Sequence, residues 1–236
     1  MPSADAIPAA ADRQYRYLGF ITCLYITFQL VCDVTAGKII SVYGMPVSVT
    51  VLYFPVTYIF ADVLTEVYGY RRARAVLWTV LLTSVTACVL YQLAALWPPA
   101  PGWDGNPAYH QVLGVVPRIV LGSWVALFAG EILNNYVLAR MKVATAGRHL
   151  WLRTTSSTLV GQFGNTALFY GIALSGVLPP SLLFRSILAG WLAKVAVEVA
   201  FTPLTYAVVR RLKRAENEDF FDDSTNFNPL ILERPF

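Results

Sequence analysis

Long apolar runs separated by short polar breaks set the pattern of this chain. The first covers about residues 17–35, with Gln29 and Asp33 one helical step apart in its last turns. The second, about residues 39–68, is interrupted by Gly44, Pro46 and Pro55. It reads as a short lead-in over 39–46 and then a span from about Val47. Pro55 is expected to kink that span, because it removes a backbone donor and crowds the preceding turn. Four more runs cover about 75–97, 116–138, 154–174 and 183–209. A helix needs about 20 apolar residues to cross ~30 Å of hydrocarbon, and these runs have that length. They are continuous rather than alternating, which excludes a closed β-barrel. The predicted fold is an all-α integral membrane protein, a bundle of six transmembrane helices.

The breaks divide the chain further. Residues 1–16 read as a disordered tail, 17–214 as the membrane domain and 215–236 as an acidic and aromatic tail. Pro98-Pro99 open a Gly/Pro/Asn-rich connector over 98–110, and Pro179-Pro180 mark the last turn. The first run is long and has no small-residue cleavage site behind it, so it is expected to remain as a span. His110 and His149 are assigned to loops.

Composition agrees with this pattern. Apolar residues make up 56% and charged residues 14% of 236, and the mean hydropathy is +0.54. Globular proteins are usually ~25% charged. The net charge of +4 does not point to nucleic acid, because the basic residues sit at every second junction. Arg13 and Arg16 precede the first span. Arg71, Arg72 and Arg74 follow the second, and Arg140, Lys142, Arg148 and Arg153 lie between the fourth and fifth. Arg210, Arg211, Lys213 and Arg214 follow the sixth. The positive-inside rule then puts both termini in the cytoplasm. Trp97, Trp103, Tyr109 and Trp151 fall where an aromatic belt would. Cys23, Cys32 and Cys88 are unpaired in spacing and read as small packing residues.

Polar residues inside the spans are the candidate chemistry. Each ionised group costs roughly 2.5–3.5 kcal/mol near a bilayer centre, so such groups face the bundle interior or a watery hollow. Asp62 and Glu66 are stacked on one helix face just before Gly69. They could work at a gate or simply pair with Arg71, Arg72 or Arg74. Glu131, Asn134 and Asn135 share a face, either for a solute or for hydrogen bonds between helices. Gln162 and Asn165 share another, after the small-polar run 154–158. Lys194 and Glu198 could face a solute or pair on their own helix. No phosphate loop, zinc motif or nucleophile elbow appears, and no histidine lies in a span. Neither an enzyme nor a metal or other cofactor is expected.

The sequence Asp62-Val63-Leu64-Thr65-Glu66-Val67-Tyr68-Gly69, followed by Arg72-Ala73-Arg74, closely resembles the signature of the bacterial queuosine-precursor transporter family, a vitamin-uptake-like group. Pro117-Arg118-Ile119 with Glu131 and Asn134-Asn135, then Arg153-Thr154-Thr155-Ser156-Ser157 leading to Gln162, match in order. So does the closing stretch from Asp219 to Asn228-Pro229. Asn165 stands where an acid is expected, which counts against a proton-carrying role there, and Leu230 replaces an aromatic. The resemblance implies uptake of 7-deazaguanines such as 7-cyano-7-deazaguanine across a bacterial cytoplasmic membrane.

A carboxylate can accept the adjacent N–H and NH2 donors of such a base, and aromatic rings can stack on it. On this resemblance the substrate contacts are expected among Glu131, Asn134, Asn135, Gln162, Asn165, Lys194 and Glu198, with Glu131 and Glu198 favoured as the acceptors. Asp62, Glu66 and Arg118 are expected to gate or couple. The expected partners are a purine-like small molecule and the lipid bilayer, with no nucleic acid. A homo-oligomer and a separate ATPase stay open. So do two other readings, a binding subunit of an energy-coupling complex and a non-transporting membrane scaffold.

Overall fold

Most of the apolar runs fold as helices lying side by side, and the second run is the exception. The computed structural model describes residues 15–144, 150–176 and 178–217. The amino-terminal stretch 1–14, the loop holding Arg148 and His149, and the closing motif 219–229 lie outside the described residues.

Helix α1 (Leu18–Thr35) is the first span. The second run then forms a hairpin rather than helix. Strand β1 (Ile39–Val42) pairs antiparallel with β2 (Met45–Ser48), with Val42 opposite Met45 and Ile39 opposite Ser48. Tyr43 and Gly44 between them both have positive φ, 50° and 77°. That is the geometry of a two-residue turn whose twist matches the strands. A short 3₁₀ turn, Val49–Leu52, leads to α2 (Pro55–Tyr68). Pro55 therefore begins a helix and does not kink one. At the first helical position its missing N–H is not needed and its fixed φ suits the helix.

Helix α3 (Tyr70–Leu96) follows after a single residue, Gly69, at φ 83° and ψ 159°. That region is essentially confined to glycine, so the chain reverses there without a connector. The proline-rich connector contains a short helix, α4 (Asn106–Leu113), and His110 lies on it rather than in a loop. Helices α5 (Val116–Ala144) and α6 (Leu150–Ala173) complete the middle. The last, α7 (Pro180–Glu216), bends by 49° between Phe201 and Pro203 and outlasts its apolar run. Pro203 removes a hydrogen bond inside the helix, a standard cause of such a bend.

Among the described residues, α1, the segment Arg71–Leu96 and the segment Asn106–Gly130 are long and apolar enough to cross a membrane. The two halves of α7 taken together make a fourth such span. Large apolar side chains point outward from these helices, including Phe20, Leu82, Leu90, Leu93, Phe184 and Val199. Lipid tails are as apolar as leucine, so close packing and polar contacts hold the helices together, not burial from water. Helices α5 and α6 make the most extensive contact in the molecule. Glycines let them approach: a Cβ added at Gly130 would lie 3.0 Å from the Asn165 Cβ and 3.2 Å from the Gly161 carbonyl.

One end of the bundle is tied by a carboxylate. Glu216, on the last turn of α7, is buried. Its Oε1 accepts from the Tyr17 N–H at 2.8 Å and the Tyr68 hydroxyl at 3.0 Å, and its Oε2 from the Arg16 N–H at 3.2 Å. The start of α1, the end of α2 and the end of α7 thus share one acceptor. Tyr15 packs edge-on against Tyr68, and the Arg72 guanidinium lies 4.7 Å from the Tyr15 ring centre. A Lys213–Glu66 ion pair at 3.1 Å adds a link on the exposed side.

Candidate functional site

A cavity of ≈ 170 Å³ lies between α1, α2, α3, α5, α6 and α7, and some of the polar residues at depth line it. A water needs only ~10–15 Å³ on such a measure, so the space suits a small organic ring system. Its walls are largely aromatic and aliphatic, with Tyr25, Phe54, Trp124, Phe128, Phe169 and Tyr170 among them. Polar and charged side chains, Gln29, Asp33, Arg74, Ser84, Asn165 and Lys194 among them, are set into these apolar walls, a mixture suited to a small-molecule site.

The α1 wall holds Gln29 and Asp33. Their i, i+4 spacing puts both on one face. The Gln29 Nε2 donates to the Asp33 Oδ1 at 2.9 Å. Asp33 is 2% exposed, and its Oδ2 has no hydrogen-bond partner in the protein. Ser84 on α3 lines the same cavity, is also buried, and has an unpartnered Oγ. On α5, Ser123 and Trp124 face the cavity, and the buried Trp124 Nε1 has no acceptor.

The far wall comes from α6 and α7. The Lys194 Nζ donates to the Asn165 Oδ1 at 3.1 Å and lies 4.9 Å from the centre of the Phe54 ring. Both Lys194 and Asn165 are buried. An ammonium over an aromatic face gains from the ring quadrupole, more so away from water. Lys194 thus reaches across to α6. Among the described residues Asp33 and Lys194 line one cavity yet make no bond to each other. The hairpin is tied to two lining residues: the Ser48 Oγ donates to the Ala36 carbonyl at 2.8 Å, and the Ser48 N–H donates to the Tyr170 hydroxyl at 3.3 Å.

Of the residues expected to contact substrate, Asn165 and Lys194 line the cavity and Gln162 does not. Glu131, Asn134 and Asn135 on α5 and Glu198 on α7 have side chains outside the described residues. Asp62 and Glu66 are exposed on α2 and are not part of the cavity wall. Glu66 pairs with Lys213 of α7 rather than with the arginines after Gly69. Arg118 donates to the backbone carbonyls of Ile172 and Ser175, bracing the start of α5 to the end of α6. Among the described residues no group of histidine, cysteine or acidic side chains could hold a metal ion.

Asp33, Ser84, Ser123 and Trp124 were not singled out by sequence reasoning. Gln29 and Asp33 carried a signal, an amide and an acid one turn apart in an otherwise apolar run. They lie in the last turns of that run, where nothing in the sequence assigns them a role. The serine and tryptophan gave no signal that distinguishes them from packing residues.

A family model described as "Putative vitamin uptake transporter" matches residues 48–208. The Bacillus subtilis (strain 168) protein named "Probable queuosine precursor transporter" is 28% identical over 195 residues, covering 82% of this chain and 85% of that protein. The Escherichia coli (strain K12) protein named "Queuosine precursor transporter" is 27% identical over 161 residues, 68% of this chain and 70% of that protein. No solved structure matches.

Proposed function

The chain belongs to the vitamin uptake transporter family, and on that premise we propose that it imports 7-deazaguanine precursors of queuosine, such as 7-cyano-7-deazaguanine, across the bacterial cytoplasmic membrane. The observation that carries this reading is the cavity between the helices, with aromatic walls and with Asp33 and Lys194 on its lining making no bond to each other. A flat base stacked on such walls gains roughly 1–3 kcal/mol per stacked ring. The names of the relatives from B. subtilis and E. coli support the substrate class.

In this reading six helices, α1, α2, α3, α5, α6 and α7, cross the membrane with both termini in the cytoplasm. The gathering of Arg16, Arg72 and Lys213 around the joined ends of α1, α2 and α7 supports that orientation. Helix α2, with 14 residues, is short for a span. At ~1.5 Å per residue it reaches about 21 Å, and the 3₁₀ turn before it supplies the rest. Asn165 and Lys194 form one wall of the substrate site, and Glu131, Asn134, Asn135 and Glu198 remain candidates on the helices around it. Asp62 and Glu66 act at the cytoplasmic mouth, where Glu66 already links α2 to α7.

The test is direct. Purified protein is expected to gain thermal stability with 7-cyano-7-deazaguanine, growing with the logarithm of concentration above Kd. Proteoliposomes holding this chain alone are expected to accumulate it. Stabilisation without uptake would assign the chain to an energy-coupling complex with a separate ATPase. Neither effect would leave the scaffold reading.

A further inference from the structure

Resting on the reading of the cavity as a base site, we infer that Asp33 is the specificity-determining residue, accepting the paired donors of a 2-amino-6-oxo ring edge while Gln29 holds it in place. Carboxylate oxygens are acceptors only, and together they offer about four lone-pair sites. Gln29 occupies one of these on Oδ1. Oδ2 is buried and has no hydrogen-bond partner among the described residues, and the residue itself lines the cavity. A ring N–H and an adjacent exocyclic NH2 present two parallel donors, the pattern that a carboxylate takes as a pair.

The groups that could otherwise have satisfied Asp33 are already committed or turned elsewhere. Two cations line the same cavity: Lys194 bonds Asn165 and lies over Phe54, and Arg74 on α3 is buried and engaged in contacts of its own. The Ser84 hydroxyl stands beside Asp33 on the same wall without closing a well-formed hydrogen bond to it. The chain can saturate a buried carboxylate when the role is structural, as the three donors to Glu216 show. At Asp33, on the wall of the cavity, it leaves one oxygen without a donor among the described residues.

The Gln29 amide acts on the ligand only through Asp33, so it is a positioning residue. The carboxylate in turn selects by composition. A ring that lacks the exocyclic amine leaves it half-satisfied, and a site built to hydrogen-bond a group rejects the analogue without it.

The experiment compares two ligands on purified full-length protein, 7-cyano-7-deazaguanine and the same ring without its 2-amino group. Binding is followed by tryptophan fluorescence, since Trp124 lines the cavity. Wild type is expected to favour the 2-amino ligand by about 10- to 100-fold, the range for a hydrogen bond to a charged group. In Asp33→Asn that ratio is expected to fall to about 3 or less, because an amide offers one acceptor and a misplaced donor. Gln29→Met is expected to lower the ratio by a smaller factor. If Asp33→Asn fails to fold, Asp33→Glu keeps the charge and moves the oxygens by a methylene, and the same loss of ratio is expected.

A folded Asp33 variant that keeps the wild-type ratio overturns the assignment, and so does a wild type with no preference. In both cases the cavity stays a base site if either ligand binds. Failure of wild type to bind any deazapurine sinks the underlying reading instead.

Discussion

Glu216 and Asp33 are both buried carboxylates in the same helical bundle, and the chain treats them differently. Glu216 collects two backbone N–H groups and a tyrosine hydroxyl from two other helices. Asp33 collects a single amide from its own helix and keeps an oxygen bare. A hydrogen bond to a charged group is worth about 1.5–3 kcal/mol, and a buried charge without them costs at least as much. The saturated acid therefore holds structure together. The open one is a standing cost that a ligand can relieve. The surroundings agree, since three elements close around Glu216 while Asp33 faces a cavity.

Four measurements would break or sharpen this contrast. The largest effect is expected from Glu216→Ala, which strands three donors at the joined helix ends. Its unfolding free energy in detergent should drop by about 3 kcal/mol or more, with base affinity little changed once the protein is folded. Lys194→Met comes next. It should weaken binding of 7-cyano-7-deazaguanine about tenfold, or ~1.4 kcal/mol, without loss of thermal stability, because a buried cation on one amide contributes little to folding. Asp33→Asn should alter stability by less than ~1 kcal/mol, since it removes a poorly compensated charge. A large loss there would show that Asp33 is structural after all. Glu66→Gln, at an ion pair whose acid is 63% exposed, should change stability by less than ~0.5 kcal/mol. A larger value would mean that the Lys213 link bears on the closed end of the bundle.

The pattern of the chain was legible in some places and not in others. The break at Gly69 was readable because glycine, a stacked acid pair before it and arginines after it mark a helix end. Pro55 misled, because a proline inside an apolar run looks like a kink until one knows that the residues before it form a hairpin. The Tyr43-Gly44 turn lacks the Asn or Asp that usually precedes glycine in a two-residue hairpin turn, and the strands beside it are only four residues each and merge into the apolar run. Asn165 and Lys194 stood out as polar groups deep in apolar spans. Asp33 did not, for it sits near a span end where acids are ordinary. Glu216 lay among the charges of an apparently solvated tail.

By itself the amino-acid sequence determined that this is a helical membrane protein, where most of its long helices run, and which spans hold groups too polar to face lipid. Those follow from local properties, namely the length of apolar runs and the cost of charge in hydrocarbon. Which acid is quenched and which is left open was decided only by the tertiary structure. A carboxylate's state depends on donors brought from other helices, across as many as 200 positions between Arg16 and Glu216, and no local pattern encodes that meeting.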